Sequence, residues 1–224
     1  MFNEQTLELL ISSFPKILVY GLKVSVPLAL IAFILSTVIA VLVATVQYAG
    51  VPVIRQICRF YIWIIRGTPL LVQLMVAFYG LPLFGINANP FLVAVIVFSI
   101  CEGAYSAETM RAAMEAVPAG QLEAGYCVGM SYMQIMWHII LPQAFRTAFP
   151  SLFNALISMV KDTSLASSIT VVEMFTRTKQ IAGQSYNYFP LYIEVAAIYL
   201  LFCTVLTFVQ KSGEKRLGNY GIRK

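Results

Sequence analysis

Five apolar runs, each near the length that crosses a lipid bilayer, dominate the sequence: roughly Leu22–Val46, Ile62–Phe84, Phe91–Met110, Ile139–Val160 and Leu191–Val209. A helix needs about 20 predominantly apolar residues to traverse the hydrocarbon core. Inside lipid no water satisfies stray backbone groups, so a spanning segment is a helix or part of a closed barrel. Barrel strands alternate polar and apolar residues, and these runs do not. The pattern predicts an all-α integral membrane helical bundle with five transmembrane helices. Composition supports this where it matters: only 11% of the 224 residues are charged, against about 25% in a soluble domain. A soluble chain this apolar would expose large adhesive patches.

The flanks of the runs set the topology. Leu7, Leu10, Ile11, Phe14 and Leu18 recur at three- and four-residue spacing, which predicts an N-terminal amphipathic helix that either lies along the membrane surface or lengthens the first span. Met1–Gln5 is acidic and polar where a secretory signal is basic, so the first span is expected to act as its own insertion signal. With the N-terminus outside, the inner segments hold Arg55, Arg59, Arg66, Arg111, Arg146, Lys211, Lys215, Arg216, Arg223 and Lys224, ten of the 15 basic residues. The outer segments hold the other five, Lys16, Lys23, Lys161, Arg177 and Lys179. This bias predicts an outer N-terminus and a cytoplasmic C-terminus. The net charge of +5 is then loop charge, and no nucleic-acid partner is expected. Cys58, Cys101, Cys127 and Cys203 lie far apart, and His138 has no Cys or His beside it, so no metal site is expected. No internal repeat is visible, so a two-fold pathway requires a second chain.

The inner segment between the third and fourth spans is the most informative. Pro118 is suited to open a short helix, because its missing N–H is not needed in a first turn. Gly129 is suited to end it, because glycine accepts the left-handed conformation. Pro142 then stands near the start of the next span. The product is a short helix between two turns at the cytoplasmic face, an element a partner can push as a rigid knob.

These residues resemble a known family. Glu123-Ala124, Gly129 six residues on, and Ile139, Leu141 and Pro142 are similar to the EAA loop of ABC importer permeases. The resemblance implies a single permease domain over 1–224 with a cytoplasmic coupling loop at 118–142. Its helix would dock into a groove on the ATP-binding subunit, with Glu123, Ala124, Gly125, Gly129, Leu141 and Pro142 as coupling positions. The third position of the motif is usually alanine. Gly125 stands there in this chain, which weakens the helix by roughly 1 kcal/mol. A second segment, Arg66-Gly67-Thr68-Pro69, resembles the polar amino-acid branch of these permeases (histidine, arginine, glutamine and cystine systems). Arg55, Arg59 and Arg66 share one helical face that meets anionic headgroups or the inner loop, and Pro69 predicts a kink in the second span.

The third span carries Glu102, Tyr105, Ser106 and Thr109 along one face. A carboxylate there costs roughly 2.5–3.5 kcal/mol on insertion scales, so such a residue faces a cavity or a partner. Glu108 and Arg111, nearer the inner end, read as a structural ion pair. Lys161-Asp162-Thr163 at the end of the fourth span also resembles the amino-acid branch. The resemblance implies a substrate cavity in which Glu102 and Asp162 receive an ammonium group. Lys161 or Thr163 would receive a carboxylate, with Tyr105 and Ser106 beside them. The alternative is that Lys161 and Asp162 merely cap a helix at the outer surface. Glu194 reads as structural.

The family implies the type I ABC importer permease fold. It also implies a role as the transmembrane subunit of an ATP-driven importer of a polar amino acid in the bacterial plasma membrane. Its partners would be two ATP-binding cassette subunits, a second permease chain, an extracellular or periplasmic amino-acid-binding protein and membrane lipid. The sequence has no G-x-x-x-x-G-K-[ST] loop, so no catalytic residue and no cofactor are assigned to it, and ATP and magnesium belong to the partner. A permease for another small solute is opposed by Arg66–Pro69. A passive channel leaves the loop from Glu123 to Pro142 unexplained. A membrane-embedded enzyme fails for want of a catalytic set.

Overall fold

The computed structural model describes residues 4–218, and no strand occurs among them. The expectations on Met1–Asn3, Arg223 and Lys224 lie outside the described residues. Glu4 opens a helix that runs as α1 (Glu4–Tyr20), a π-helical turn at Gly21–Ser25, and α2 (Val26–Ala49). The amphipathic N-terminal stretch is therefore continuous with the first span. The π turn sits at a close approach: a Cβ on Gly21 would lie 2.7 Å from the Phe202 ring and 3.0 Å from the sulfur of Met174.

Gly50, at φ +74°, ends α2, and Pro52 opens α3 (Pro52–Arg66), a first-turn position that needs no N–H. The kink expected at Pro69 in the second span is present, as a bend of 100° between Pro52–Arg66 and Leu70–Phe84, and it goes further than a kink. The span is not one helix from Ile62 to Phe84, because α3 stops at Arg66 and α4 (Leu70–Gly80) begins after a break, followed by a 3-10 turn at Leu81–Phe84. Pro69 supplies the reason: it has no N–H to give and disfavours helical backbone at Thr68. Next come α5 (Pro90–Glu115), α6 (Ala119–Cys127), α7 (Tyr132–Ile135), a π turn at Met136–Ile140, α8 (Leu141–Asp162), a 3-10 stretch at Thr163–Ile169, α9 (Met174–Ser185) and α10 (Tyr188–Gly218). Among the described residues three helices can cross a membrane by length and composition: Glu4–Ala49, Pro90–Glu115 and Tyr188–Leu217. The total is five when the broken pairs Pro52–Arg66 with Leu70–Phe84 and Tyr132–Ile169 with Met174–Ser185 each count as one span.

The chain resolves into two compact units of interleaved segments. The first takes in the chain up to Phe33, Pro69–Phe98 and Leu156–Phe208. Its buried core includes Leu28, Ala29, Ala32, Leu74, Phe98 and Ile169, with a second cluster around Ile17, Met174, Leu191 and Ile198. Small residues such as Ala29, Ala32 and Ala94 let helix backbones approach closely, the usual mode of packing in lipid. The second unit takes in Ile34–Thr68, Ser99–Ala155 and the chain from Val209. There Gly103 leaves room for Ile39, whose Cγ2 lies 2.8 Å from where a Cβ would stand, and Tyr61 donates to the carbonyl of Ile100 at 2.6 Å.

Candidate coupling helix and intramembrane polar residues

The loop at 118–142 lies within the second unit. Pro118 is the extended residue before α6 rather than its first helical residue. At the other end Gly129 has φ +79°. Its N–H donates to Tyr126 at 2.9 Å, and the N–H of Met130 donates to Gly125 at 3.0 Å. This pair of bonds is the Schellman closure, which satisfies the last carbonyls of a helix and requires a left-handed residue at Gly129. Ser131 starts the next helix with a reciprocal cap: its N–H donates to Gln134 Oε1 at 2.7 Å, and Gln134 N–H donates to its hydroxyl at 3.4 Å. Gly125 and Leu141 are buried, whereas Glu123, Ala124, Gly129 and Pro142 are exposed. Tyr126 and Val128 add apolar surface, Val128 at 77% exposure. The π turn ends at Ile140, two residues before Pro142, whose missing N–H disturbs the regular ladder there.

Arg66 ends α3, with its guanidinium 5.2 Å from the centre of the Tyr105 ring. Gly67 N–H donates to Trp63 at 3.0 Å, and the Thr68 hydroxyl donates to Ile64 at 3.0 Å. Pro69 accepts at its carbonyl from Gln73 N–H at 3.1 Å as α4 begins. The motif therefore builds a helix end, a turn and a helix start.

The polar face of α5 divides into three local arrangements. Glu102, half-buried, accepts from the buried Ser106 hydroxyl at 2.7 Å. Tyr105 is exposed and carries the Arg66 guanidinium over its ring. Arg111 bridges Glu108 at 2.9 Å and Glu115 at 2.7 Å, so the expected ion pair is present and extends to a second acid. Gln47 donates to Glu108 at 3.4 Å.

Lys161, Asp162 and Thr163 belong to the first unit. Lys161 and Asp162 are the last residues of α8, and the 3-10 stretch follows directly from Thr163. Asp162 makes no side-chain cap bond at the start of that stretch. The Thr163 hydroxyl is fully buried and donates to Val160 at 2.8 Å. Lys161 borders a largely apolar cleft of about 640 Å³ with Ser164, Tyr192, Tyr199 and Cys203.

Glu173 escaped sequence reasoning. Fully buried, it accepts from the N–H groups of Phe175 and Thr176 at 2.7 and 2.6 Å, and from the hydroxyl of Tyr199 at 3.4 Å. It caps α9, a task that Ser, Thr, Asp or Asn usually performs; the start of α9 therefore carried no familiar signal.

Residues 36–219 match the model of the family described as the binding-protein-dependent transport system inner membrane component. The chain belongs to this family. The L-cystine transport system permease protein TcyB of Bacillus subtilis (strain 168) is 42% identical over 214 residues, covering 95% of this chain and 92% of that protein. A putative glutamine transport system permease protein, GlnP, of Rickettsia felis (strain ATCC VR-1525 / URRWXCal2) is 36% identical over 214 residues, covering 94% and 98%. A solved crystal structure of an amino acid ABC transporter with histidines superposes with a TM-score of 0.83 at 32% identity, covering 92% of this chain and 96% of that one. The permease thus has the type I ABC importer fold and is a multi-pass inner-membrane protein. It is a transport subunit and not an enzyme: in this family a binding protein delivers the solute and ATP-binding subunits hydrolyse ATP.

Proposed function

We propose that this permease moves a polar amino acid inward across the bacterial plasma membrane. A binding protein on the outer side hands over the solute, and two ATP-binding cassette subunits, holding ATP and magnesium, drive the cycle. The observation that carries the reading is α6, a nine-residue helix closed by Gly129 and presenting Glu123, Ala124 and Tyr126 outward, in a chain whose relatives bear amino-acid names. A passive channel has no use for such an element. The domain is taken as one permease over 1–224 with 118–142 as its coupling loop, paired with an identical or similar chain. The ten-to-five distribution of basic residues supports an outer N-terminus and a cytoplasmic C-terminus.

Two residue sets are proposed for the substrate, each argued by itself. Glu102, oriented by Ser106, offers a carboxylate for an ammonium group, with Tyr105 beside it on α5. Lys161, Asp162 and Thr163 offer a cation, an anion and a hydroxyl at the joint between α8 and the 3-10 stretch. ATP moves the permease between inward- and outward-facing states by binding its own subunits differently in the two.

The test is reconstitution of the whole transporter in proteoliposomes with its binding protein, measuring uptake and ATPase stimulation across a panel of polar and apolar amino acids, osmolytes and methionine. Uptake of polar amino acids that requires both ATP and the binding protein is expected. ATP-independent flux overturns the importer reading, and a response confined to osmolytes or methionine overturns the substrate class.

A further inference from the structure

The arginine face of α3 borders a polar cleft of about 320 Å³ within the second unit. Arg55, Arg59 and Arg66 line it from α3, Gln47 from α2, and Glu108 and Arg111 from α5. Its charges do not balance. Arg111 occupies both nearby acids, Glu108 and Glu115, and Arg66 lies over the Tyr105 ring. Arg55 and Arg59 have no carboxylate partner among the described residues. The Nε of Arg55 is buried with no hydrogen-bond partner. A buried guanidinium N–H with nothing to donate to is unfavourable, and an anion in the cleft removes that penalty.

The surroundings indicate which anion. Gln47 follows the apolar run Leu22–Val46, and Glu108 and Arg111 stand at the end of Phe91–Met110, so the cleft opens at a bilayer surface. The opposite face of α3 is apolar and exposed, with Val53 at 73% and Ile57 and Phe60 nearby. Trp63, 70% exposed, stands at the lip of the cleft, and tryptophan favours the headgroup level. An amphipathic helix with arginines on one face and aromatics on the other lies in the membrane interface. The forked donors of arginine match the oxygens of a phosphate.

We propose that this cleft binds a phosphate-bearing anion, either the headgroup of an anionic phospholipid or a free phosphate. Arg55 and Arg59 hold the phosphate, Arg66 adds positive potential, and the acyl chains of a lipid lie along the apolar side of α3. The site shares no lining residue with the set assigned to the amino acid, touching it only where Arg66 meets Tyr105, and does not depend on that assignment.

The experiment is native mass spectrometry of the detergent-purified transporter, permease with ATP-binding subunits, titrated with phosphatidylglycerol, phosphatidylcholine or inorganic phosphate. Preferential retention of phosphatidylglycerol is expected, with inorganic phosphate displacing it only in large excess. Equal affinity for inorganic phosphate would support the site and identify free phosphate as its source. The double variant Arg55→Gln/Arg59→Gln should weaken phosphatidylglycerol binding about tenfold. Arg59→Lys, which keeps charge but loses the fork, should fall between it and the wild type, and Arg146→Gln on α8 should have no effect. If the double variant does not assemble, Arg59→Lys alone decides. Equal retention of the two lipids by the wild type, or undiminished binding in the arginine variants, overturns the proposal. So does loss of the ATP-binding subunits with lipid retention unchanged, which would give the arginines to a protein interface.

Discussion

Ile135 occupies the space that a side chain at Gly125 would need. A Cβ on Gly125 would stand 2.7 Å from Cγ1 of Ile135 and 2.9 Å from its Cδ1, both too close for an ordinary contact. The glycine that departs from the alanine usual in the EAA motif is therefore the partner of a bulky, fully buried isoleucine. Gly125→Ala should destabilise the loop by about 1–3 kcal/mol through overpacking. Ile135→Ala removes both contacting atoms, so the double variant should be more stable than the sum of the single changes predicts. Melting of the purified transporter checks this, and strict additivity would show that the two residues do not compete for space.

Gly129 tests the backbone rather than packing. Nothing lies within 4 Å of a Cβ built there, yet its φ is +79°. Gly129→Ala should cost about 1–2 kcal/mol in the left-handed conformation, Gly129→Asn less and Gly129→Val more. Substrate-stimulated ATPase activity and ATP-driven uptake should fall least in Gly129→Asn, further in Gly129→Ala and most in Gly129→Val. Uniform effects across the series would count against the Schellman closure as the feature that matters for coupling.

Glu102→Gln should raise the amino-acid concentration needed for half-maximal uptake roughly tenfold, the loss of one charge-assisted hydrogen bond. Cationic amino acids should be affected more than neutral ones, since a second positive charge gains most from a carboxylate. Ser106→Ala, which removes the 2.7 Å bond to Glu102, should give a smaller shift in the same direction. Asp162→Asn is assessed separately in the same proteoliposome assay with saturating binding protein. Unchanged kinetics in both acid variants would return these residues to a structural role.

Glu173→Ala should lower stability by about 2 kcal/mol or more, because it strips a cap and leaves buried donors unmet. Glu173→Gln keeps one acceptor oxygen and should lie between it and the wild type. Thermal unfolding in detergent is the measurement. A melting temperature unchanged in Glu173→Ala would mean that the N–H groups of Phe175 and Thr176 find water instead.

Topology is checked by cysteine substitution at Glu4 and at Lys215 in a background lacking the native cysteines. An impermeant thiol reagent added to intact cells should label the first and spare the second. The reverse pattern would invert the proposed orientation.

Hydropathy and turn chemistry are local properties, so they were legible along the chain. The apolar runs required helices in lipid, and Pro118, Gly129 and Pro142 marked the short helix and its turns, because each residue acts on its own backbone. The sequence alone also separated Arg55, Arg59 and Arg66 from the apolar residues of α3, since helical periodicity decides which side chains share a face. Pro69 marked the interruption of the second run, but hydropathy averaged over some twenty residues hid its extent: a kink was expected where Gly67–Pro69 divides the helix in two. Other features depend on residues far apart in the chain. The close approach of Phe202 to Gly21, the stacking of Arg66 on Tyr105, and the hydrogen bond from Tyr199 to Glu173 exist only once helices pack. Tertiary structure also decided that Tyr105 meets Arg66 and that Arg55 is left with a buried donor. A side chain's partner depends on which helices adjoin it, and no local pattern contains that information.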